Sequence, residues 1–142
     1  MIRQISVFLE NRAGQLAEIT RTLAQQGVDI RAMNIAETSD YGLLRLIVDD
    51  FEKTLEVLNT AGYPAAVSEV VTIAVPDKPG GLAEALGVLD RQRINVTYMY
   101  SIFSRLAGKA YMVMKVNDPR EAEKILVSGG VHVADSGELE IV

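Results

Sequence analysis

Hydrophobic and polar residues alternate along several short stretches of this chain, and helical spacing lies between them. Residues 2–9 place their apolar side chains on one face, with the period of a half-buried β-strand. A turn follows, and from Gln15 the apolar residues recur at helical spacing up to Gly27, where a helix C-cap is expected. The pattern therefore predicts a strand followed by a helix.

The next stretches predict a hairpin, a second helix and a fourth strand. These elements cover residues 28–37 with 43–48, then 51–61, then 64–67. Asp49 or Asp50 can cap the second helix, and Gly62 stops it. The order β-α-β-β-α-β is the ferredoxin-like arrangement, in which both helices cover one face of an antiparallel sheet.

The whole pattern occurs twice. The run Leu9–Glu18, LENRAGQLAE, returns as Val75–Glu84, VPDKPGGLAE, at an offset of 66 without a gap. The same offset matches Gly42 with Gly108, and an offset of 68 applies from Asp50 onward. Such a regular self-match indicates duplication. Two residues were therefore added near the hairpin or third strand of the second copy.

The second copy predicts the same elements. They cover residues 70–75, 81–91, 94–103 with 109–116, 119–128 and 131–134. Asp118-Pro119 is a typical helix start, Gly129-Gly130 ends that helix, and the apolar tail at residues 139–142 is interpreted as an extra strand. The predicted class is α+β, with two ferredoxin-like βαββαβ units packed side by side, antiparallel sheets and helices on one face. The predicted domains are residues 1–68 and 69–142.

Composition and charge narrow the function classes. Units of this size are small for independent stability, so we expect them to share an interface. The hydrophobic fraction of 49% excludes disorder as the default, and a net charge of -5 without a Lys or Arg run argues against nucleic-acid binding. No apolar stretch approaches a membrane span, no signal peptide is recognised, and Cys is absent. We therefore expect a cytoplasmic protein that does not bind membranes.

Few residues suggest catalysis. The one histidine, His132, lies in an alternating stretch and is predicted to be a strand-surface residue, and no hydrolase, zinc-protease or nucleotide-loop motif is present. We expect no catalytic residue, no metal site and no cofactor.

The two loop-to-helix stretches, Asn11–Leu16 and Asp77–Leu82, are better candidates. A small residue before a helix lets a ligand approach the backbone, and the first-turn N–H groups with the helix dipole suit a carboxylate. Asn11 or Asp77 beside them can take the other end of a zwitterion. The alternative is that these two side chains only shape the turn and cap the helix.

These residues resemble the ACT domain, the amino-acid-sensing module of many enzymes of amino-acid metabolism. The resemblance is carried by NRAGQLAEI and DKPGGLAEAL after an alternating strand, each followed by a V-[DN]-[IV] step in GVDI and RINV. It covers nearly the whole chain, twice. Ala13 stands where the family pattern has Pro, and Arg93 replaces the helix-ending glycine found at Gly27, so a different backbone shape is expected there.

The resemblance implies a ligand site and its residues. In phosphoglycerate dehydrogenase, whose ACT units these copies resemble most in motif, two units pair through their second strands and hold an amino acid at the junction. Carried over, Asn11 lies with Asn95, and Asp77 with Asp29. The expected ligand-binding residues are Asn11, Ala13, Gly14, Gln15, Leu16, Asp29, Asp77, Pro79, Gly80, Gly81, Leu82 and Asn95.

The resulting hypothesis is a non-catalytic regulatory protein that binds an amino acid between its two ACT units. Its expected partners are the amino acid, an enzyme of amino-acid metabolism and a second copy of the chain in a homodimer. Neutral amino acids are expected to occupy the Asn11 and Asn95 site first, because two carboxylates at the other site repel the ligand's own carboxylate. The alternative hypothesis is an adaptor that docks an enzyme without binding a ligand.

Overall fold

A computed structural model describes residues 1–10, 12–37, 41–103 and 107–141. The chain divides into two compact units. The first unit consists of Arg3–Ser68 with Glu140 and Ile141, and the second consists of Glu69–Leu139 with Met1 and Ile2. None of the described helices is long and apolar enough to cross a membrane.

The first unit has the ferredoxin-like element order. Its elements are β1 (Ile2–Glu10), α1 (Gln15–Gln25), β2 (Ile30–Glu37), β3 (Tyr41–Val48), α2 (Phe51–Thr60) and the start of β4 (Ala65–Pro76). The strand order is β2-β3-β1-β4, and β3 pairs antiparallel with both β1 and β2. Alternate residues of β1 and β3 share one core with buried residues of α1 and α2, so both helices lie on the same face of the sheet.

The second unit repeats that architecture. Its elements are the end of β4, α3 (Gly81–Arg91), β5 (Val96–Ser101), β6 (Lys109–Val116), α4 (Pro119–Ser128) and β7 (His132–Val133). The strand order is β7-β4-β6-β5, again antiparallel at each pairing. A second core joins β4 and β6 to α3 and α4. The predicted α+β class and the ferredoxin-like order of each copy are confirmed.

Two strand predictions are wrong. The last strand of the first copy and the first strand of the second are a single strand, β4, because residues 67–69, which were predicted to link the two copies, belong to the strand themselves. The tail predicted as an extra strand forms turns over residues 136–140, and Ile141 is not in a strand. Leu139 is nevertheless buried, so its hydrophobicity reflects packing and not strand pairing. Val142 lies outside the described residues.

Strand register locates the two added residues. Leu9 pairs with Gly42 in the first unit, and Val75 pairs with Ala110 in the second. Gly42 therefore corresponds to Ala110 and not, as predicted, to Gly108. The offset changes from 66 to 68 between the two strands of the hairpin, so the additional residues belong to the hairpin loop of the second copy.

The backbone at Arg93 was expected to differ in shape from that at Gly27, and this expectation is wrong. Arg93 has a φ of 57°, close to the left-handed region occupied by Gly27 with a φ of 73°. The hydrogen bonds are also equivalent, because Arg93 N donates to the Asp90 carbonyl oxygen as Gly27 N does to that of Ala24. The following residue donates to the Leu89 and Leu23 carbonyl oxygens respectively, both at 3.0 Å. Both copies therefore enter their second strand in the same way.

Candidate functional site

The two loop-to-helix elements adopt the same backbone conformation. Gly14 and Gly80 are the N-cap residues of α1 and α3, with φ of 87° and 86° in the left-handed region that favours glycine. Within the part of the chain that the structure describes, neither helix has a side-chain cap, so the interpretation of Asp77 as a helix cap is wrong. Asp77 N instead donates to the Gly108 carbonyl oxygen at 3.0 Å. Uncapped first-turn N–H groups are suited to receive an anionic ligand.

The first residue of each helix distinguishes the two elements. Gln15 begins α1 and is only 7% exposed, and among the described residues its Oε1 has no hydrogen-bond partner. A buried acceptor without a partner is unfavourable unless something else supplies a donor. The equivalent residue of α3 is Gly81, which has no side chain. A Cβ there would lie 2.2 Å from the Pro76 carbonyl oxygen, so the position has room only for glycine.

Near the loop-to-helix element of the first copy, three side chains form a hydrogen-bonded cluster. The Tyr63 hydroxyl donates to Glu18 at 2.7 Å, and Arg12 donates to the other carboxylate oxygen of Glu18 at 3.1 Å. Hydrogen bonds from Tyr63 and Arg12 lower the pKa of Glu18 below its ordinary value. Burial and the hydrogen bond to Glu18 raise the pKa of the Tyr63 phenol. Both hydrogen bonds therefore favour the ionised form of Glu18.

Behind the second element lies an open cleft of about 400 Å³, contained within the second unit. Its walls come from β4, α3, the start of β6, and the glycine turn that leads from α4 into β7. The apolar wall includes the buried residues Val75, Ala85 and Val88. Glu84, the equivalent of Glu18, also lines it.

Several other predicted residues have clear structural positions. Asp29, exposed just before β2, accepts a hydrogen bond at 3.3 Å from the buried Arg31, so its carboxylate is already next to a cation. Asn95 is exposed just before β5. Leu16 packs against the first core, and Leu82 is half-buried. Ala13 and Pro79 are exposed turn residues.

Asn11 lies outside the described residues. The pairing of each loop with a particular strand start stays a prediction from the resemblance. Among the described residues, no group of three or more His, Asp or Glu side chains is placed to hold a metal ion.

The sequence comparisons agree with this geometry. A family model described as an ACT domain pair matches residues 1–141. The chain belongs to the ACT domain family. No curated protein matches this ACT pair in sequence.

Solved structures resemble the ACT pair at two levels of similarity. The protein BT0572 from Bacteroides thetaiotaomicron is 33% identical, with a TM-score of 0.91 over 99% of this chain and 96% of that one. The regulatory subunit of aspartate kinase from Thermus thermophilus is 13% identical, with a TM-score of 0.67 over 90% of this chain and 92% of that one. The regulatory subunit of aspartate kinase from Thermus flavus is also 13% identical, with a TM-score of 0.60 over 90% of this chain and 92% of that one. At 13% identity the likeness shows the fold alone.

His132 of the ACT pair has a partner that the sequence pattern did not reveal. Its Nε2 lies 2.6 Å from Glu138, which also accepts a 2.8 Å hydrogen bond from the buried Tyr111 hydroxyl. Burial alone would raise the pKa of Glu138, but the hydrogen bonds from His132 and Tyr111 outweigh it and lower that pKa. This cluster fastens the segment after β7 to β6, and it is a structural role for the chain's one histidine.

The cluster at Tyr63 gives a first testable prediction. Tyr63→Phe removes the larger of the two hydrogen bonds to Glu18, so the pKa of Glu18 should rise toward 4.5, its ordinary value. A carboxylate whose pKa is lower in the folded protein than in the unfolded chain stabilises the fold at pH values above the unfolded-state pKa. That stabilisation is lost as the pH falls through the folded-state pKa. Tyr63→Phe should therefore lose less stability than wild type on acidification.

Carboxyl-detected NMR titration measures this change directly. Tyr111→Phe is the matched control, because it removes a phenol hydrogen bond from Glu138 and leaves Glu18 unchanged. An identical Glu18 titration in wild type and Tyr63→Phe would contradict the assignment of the phenol as the main cause.

Proposed function

We propose that this ACT pair is a non-catalytic regulatory protein that binds a small amino acid and passes the bound state to a partner. One observation carries the proposal. The buried side-chain oxygen of Gln15, which has no partner among the described residues, lies at the start of a helix whose N-cap glycine offers no side-chain cap. The acceptor thus belongs to the same helix start as the first-turn donors, and an amino-acid zwitterion needs both kinds of group.

The two charged groups of the ligand have separate roles at this element. The carboxylate accepts hydrogen bonds from first-turn N–H groups of α1, where the helix dipole favours negative charge. The ammonium donates to the Gln15 Oε1 and satisfies it. By the resemblance, Asn11 supplies a further polar contact. Gly14 permits this close approach because no Cβ projects from the N-cap position.

The element of the second copy is less suited to the same ligand. Gly81 supplies no acceptor, and its N–H already donates to the Lys78 carbonyl oxygen at 3.1 Å. Asp77 adds an exposed carboxylate, which repels the carboxylate of an amino acid. We therefore expect the element at Gln15 to bind first.

The comparisons support a regulatory role in trans. The two Thermus structures similar to this chain are named as regulatory subunits of aspartate kinase. We accordingly propose an enzyme of amino-acid metabolism as the partner. Association into a homodimer stays a prediction.

A thermal-shift screen of the twenty amino acids tests the proposal. A ligand at ten times its Kd should add about 1.4 kcal/mol to the free energy of unfolding. Gln15→Met keeps the side-chain length and removes the acceptor, so it should eliminate the shift. The unliganded variant should be at least as stable as wild type, because an unsatisfied buried oxygen is gone.

Gln25→Met is the control, since Gln25 is exposed at the other end of the same helix. It should retain the wild-type shift. If no amino acid stabilises wild type, the sensor proposal fails and the adaptor hypothesis is favoured. If a ligand shifts wild type and Gln15→Met equally, binding occurs elsewhere.

A further inference from the structure

Among the described residues, the open cleft of the second unit and the cluster at Glu18 in the first unit occupy corresponding positions. Three pairs of positions establish the correspondence: Gly80 with Gly14, Glu84 with Glu18, and Val131 with Tyr63. The first two pairs lie at an offset of 66, and the third lies at the offset of 68 that applies after the hairpin.

Hydrogen bonds of the backbone show that these positions are equivalent. Glu84 N donates to the Gly80 carbonyl oxygen at 3.0 Å, and Glu18 N donates to that of Gly14 at 2.9 Å. Val131 N donates to the Leu126 carbonyl oxygen at 2.9 Å, and Tyr63 N donates to that of Leu58, also at 2.9 Å. The preceding glycines, Gly130 and Gly62, have φ of 81° and 82°. The two copies therefore hold each pair in the same local geometry.

The side chains at these equivalent positions differ in one decisive respect. In the first unit, the phenol of Tyr63 reaches Glu18 and donates a 2.7 Å hydrogen bond to its carboxylate. In the second unit, Val131 carries neither a ring nor a hydroxyl and cannot make the corresponding bond. Glu84 and Val131 both line the cleft. The missing phenol of the second copy thus coincides with open volume next to a carboxylate.

We infer that this cleft is a binding site for a small molecule that carries a phenol, with the Tyr63 side chain of the first copy as its internal counterpart. The ring packs against Val131, Val88 and Ala85, which line the cleft, and the hydroxyl donates to the Glu84 carboxylate. A volume of about 400 Å³ accommodates such a molecule, since ligand pockets typically measure roughly 300 to 1,000 Å³.

The charged residues at the mouth of the cleft limit what else the ligand can carry. Arg91 and Lys109 line the cleft and are exposed, so an anionic substituent on the ring can lie near them. Glu84 can accept a hydrogen bond from a hydroxyl on the ligand, and an aromatic ligand without a hydroxyl cannot make this bond. This inference does not depend on the proposed function, because the cleft belongs to the second unit and the element at Gln15 belongs to the first.

The test uses p-cresol, which is the side chain of tyrosine without its amino and carboxylate groups. Titration into the full-length protein, followed by NMR of the valine methyl groups, should give saturable shifts at Val131 and Val88. Toluene, which lacks the hydroxyl, should bind at least about tenfold more weakly, because a hydrogen bond to a charged group is lost. Glu84→Ala should weaken p-cresol by a similar factor.

Exchanging the residues between copies provides the decisive variants. Val131→Tyr reproduces the first copy and should abolish p-cresol binding at the cleft. Tyr63→Val removes the phenol from Glu18 and should let the variant bind a second p-cresol there, more weakly than at the cleft, because Ile19 and Thr22 stand where the cleft has Ala85 and Val88.

Saturable shifts with loss in Val131→Tyr and gain in Tyr63→Val support the inference. Absence of shifts at Val131 in wild type, or equal binding of toluene and p-cresol, overturns it. If Val131→Tyr does not fold, Tyr63→Val and Glu84→Ala decide the outcome by themselves. A thermal shift produced by an amino acid and retained in Val131→Tyr would show that amino-acid binding at Gln15 is separate from p-cresol binding at the cleft.

Discussion

Replacing Gly81 with alanine should destabilise the second unit by about 3 kcal/mol or more. A Cβ at this position would lie 2.2 Å from the carbonyl oxygen of Pro76 and 3.2 Å from its carbonyl carbon. Both atoms belong to the backbone, so no side-chain rotation can relieve the overlap. Either the end of β4 or the start of α3 must move, and displacements of packed backbone typically cost 1 to 3 kcal/mol, occasionally more.

Gly87→Ala in the middle of the same helix is the matched control. A Cβ there would be 3.7 Å from the Arg91 side chain, which is an ordinary contact. Alanine is the better helix former, so this variant should be more stable than wild type by about 0.5 to 1 kcal/mol. Urea unfolding followed by circular dichroism measures both variants. Equal stabilities for the two would show that the approach of α3 to Pro76 is not constrained.

Much of the fold follows from periodicity and from the internal repeat. Strand and helix periods identified the β-strands and α-helices of the described residues, with β4 divided into two, and the repeat supplied the second unit from the first. The errors arose where one pattern has two structural explanations. The three residues 67–69 fit the middle of one long strand as well as a short link between two strands. The apolar tail at Leu139 fits a buried turn as well as a strand.

Glycine positions were a weaker guide than periodicity. Gly42 and Gly108 match in sequence at the offset of 66, but strand register places Gly42 opposite Leu9 and Ala110 opposite Val75. Arg93 adopts the backbone conformation expected of a glycine because the helix-end hydrogen bonds and the packing of Ile94 behind it define that conformation. Left-handed backbone in a non-glycine residue costs about 1 to 2 kcal/mol, which the surrounding contacts offset.

The candidate site was only partly predictable. The loop-to-helix elements could be found because their residues are contiguous and repeated. The Glu18 and Tyr63 contact joins residues 45 positions apart, so only the folded chain brings them together. In the sequence, only the repetition of Glu18 as Glu84 could have indicated that this position belongs to the site. The importance of Gln15 depends on its burial, because an exposed glutamine would find its partners in water.

Gly129→Ala should destabilise the second unit by about 2 kcal/mol, and Val88→Ala should rescue it. Gly129 has a φ of -84°, which alanine adopts without strain, so the effect is steric. A Cβ would lie 2.5 Å and 2.9 Å from the two Cγ atoms of Val88, which is 6% exposed and branched at Cβ. Such a side chain has few rotamers into which it can turn, so α4 and α3 must separate.

A double-mutant cycle isolates this contact. Val88→Ala alone should lose the packing of two methyl groups, and combined with Gly129→Ala it makes room for the new methyl. The double variant should therefore be more stable than the sum of the single effects predicts, by about 1 to 2 kcal/mol. The first copy has Ala61 and Thr22 at the equivalent positions, so a methyl group at this helix crossing is compatible with the fold when the helices are spaced for it. Additive effects of the two substitutions in urea unfolding would show that Gly129 and Val88 do not determine the spacing of α3 and α4.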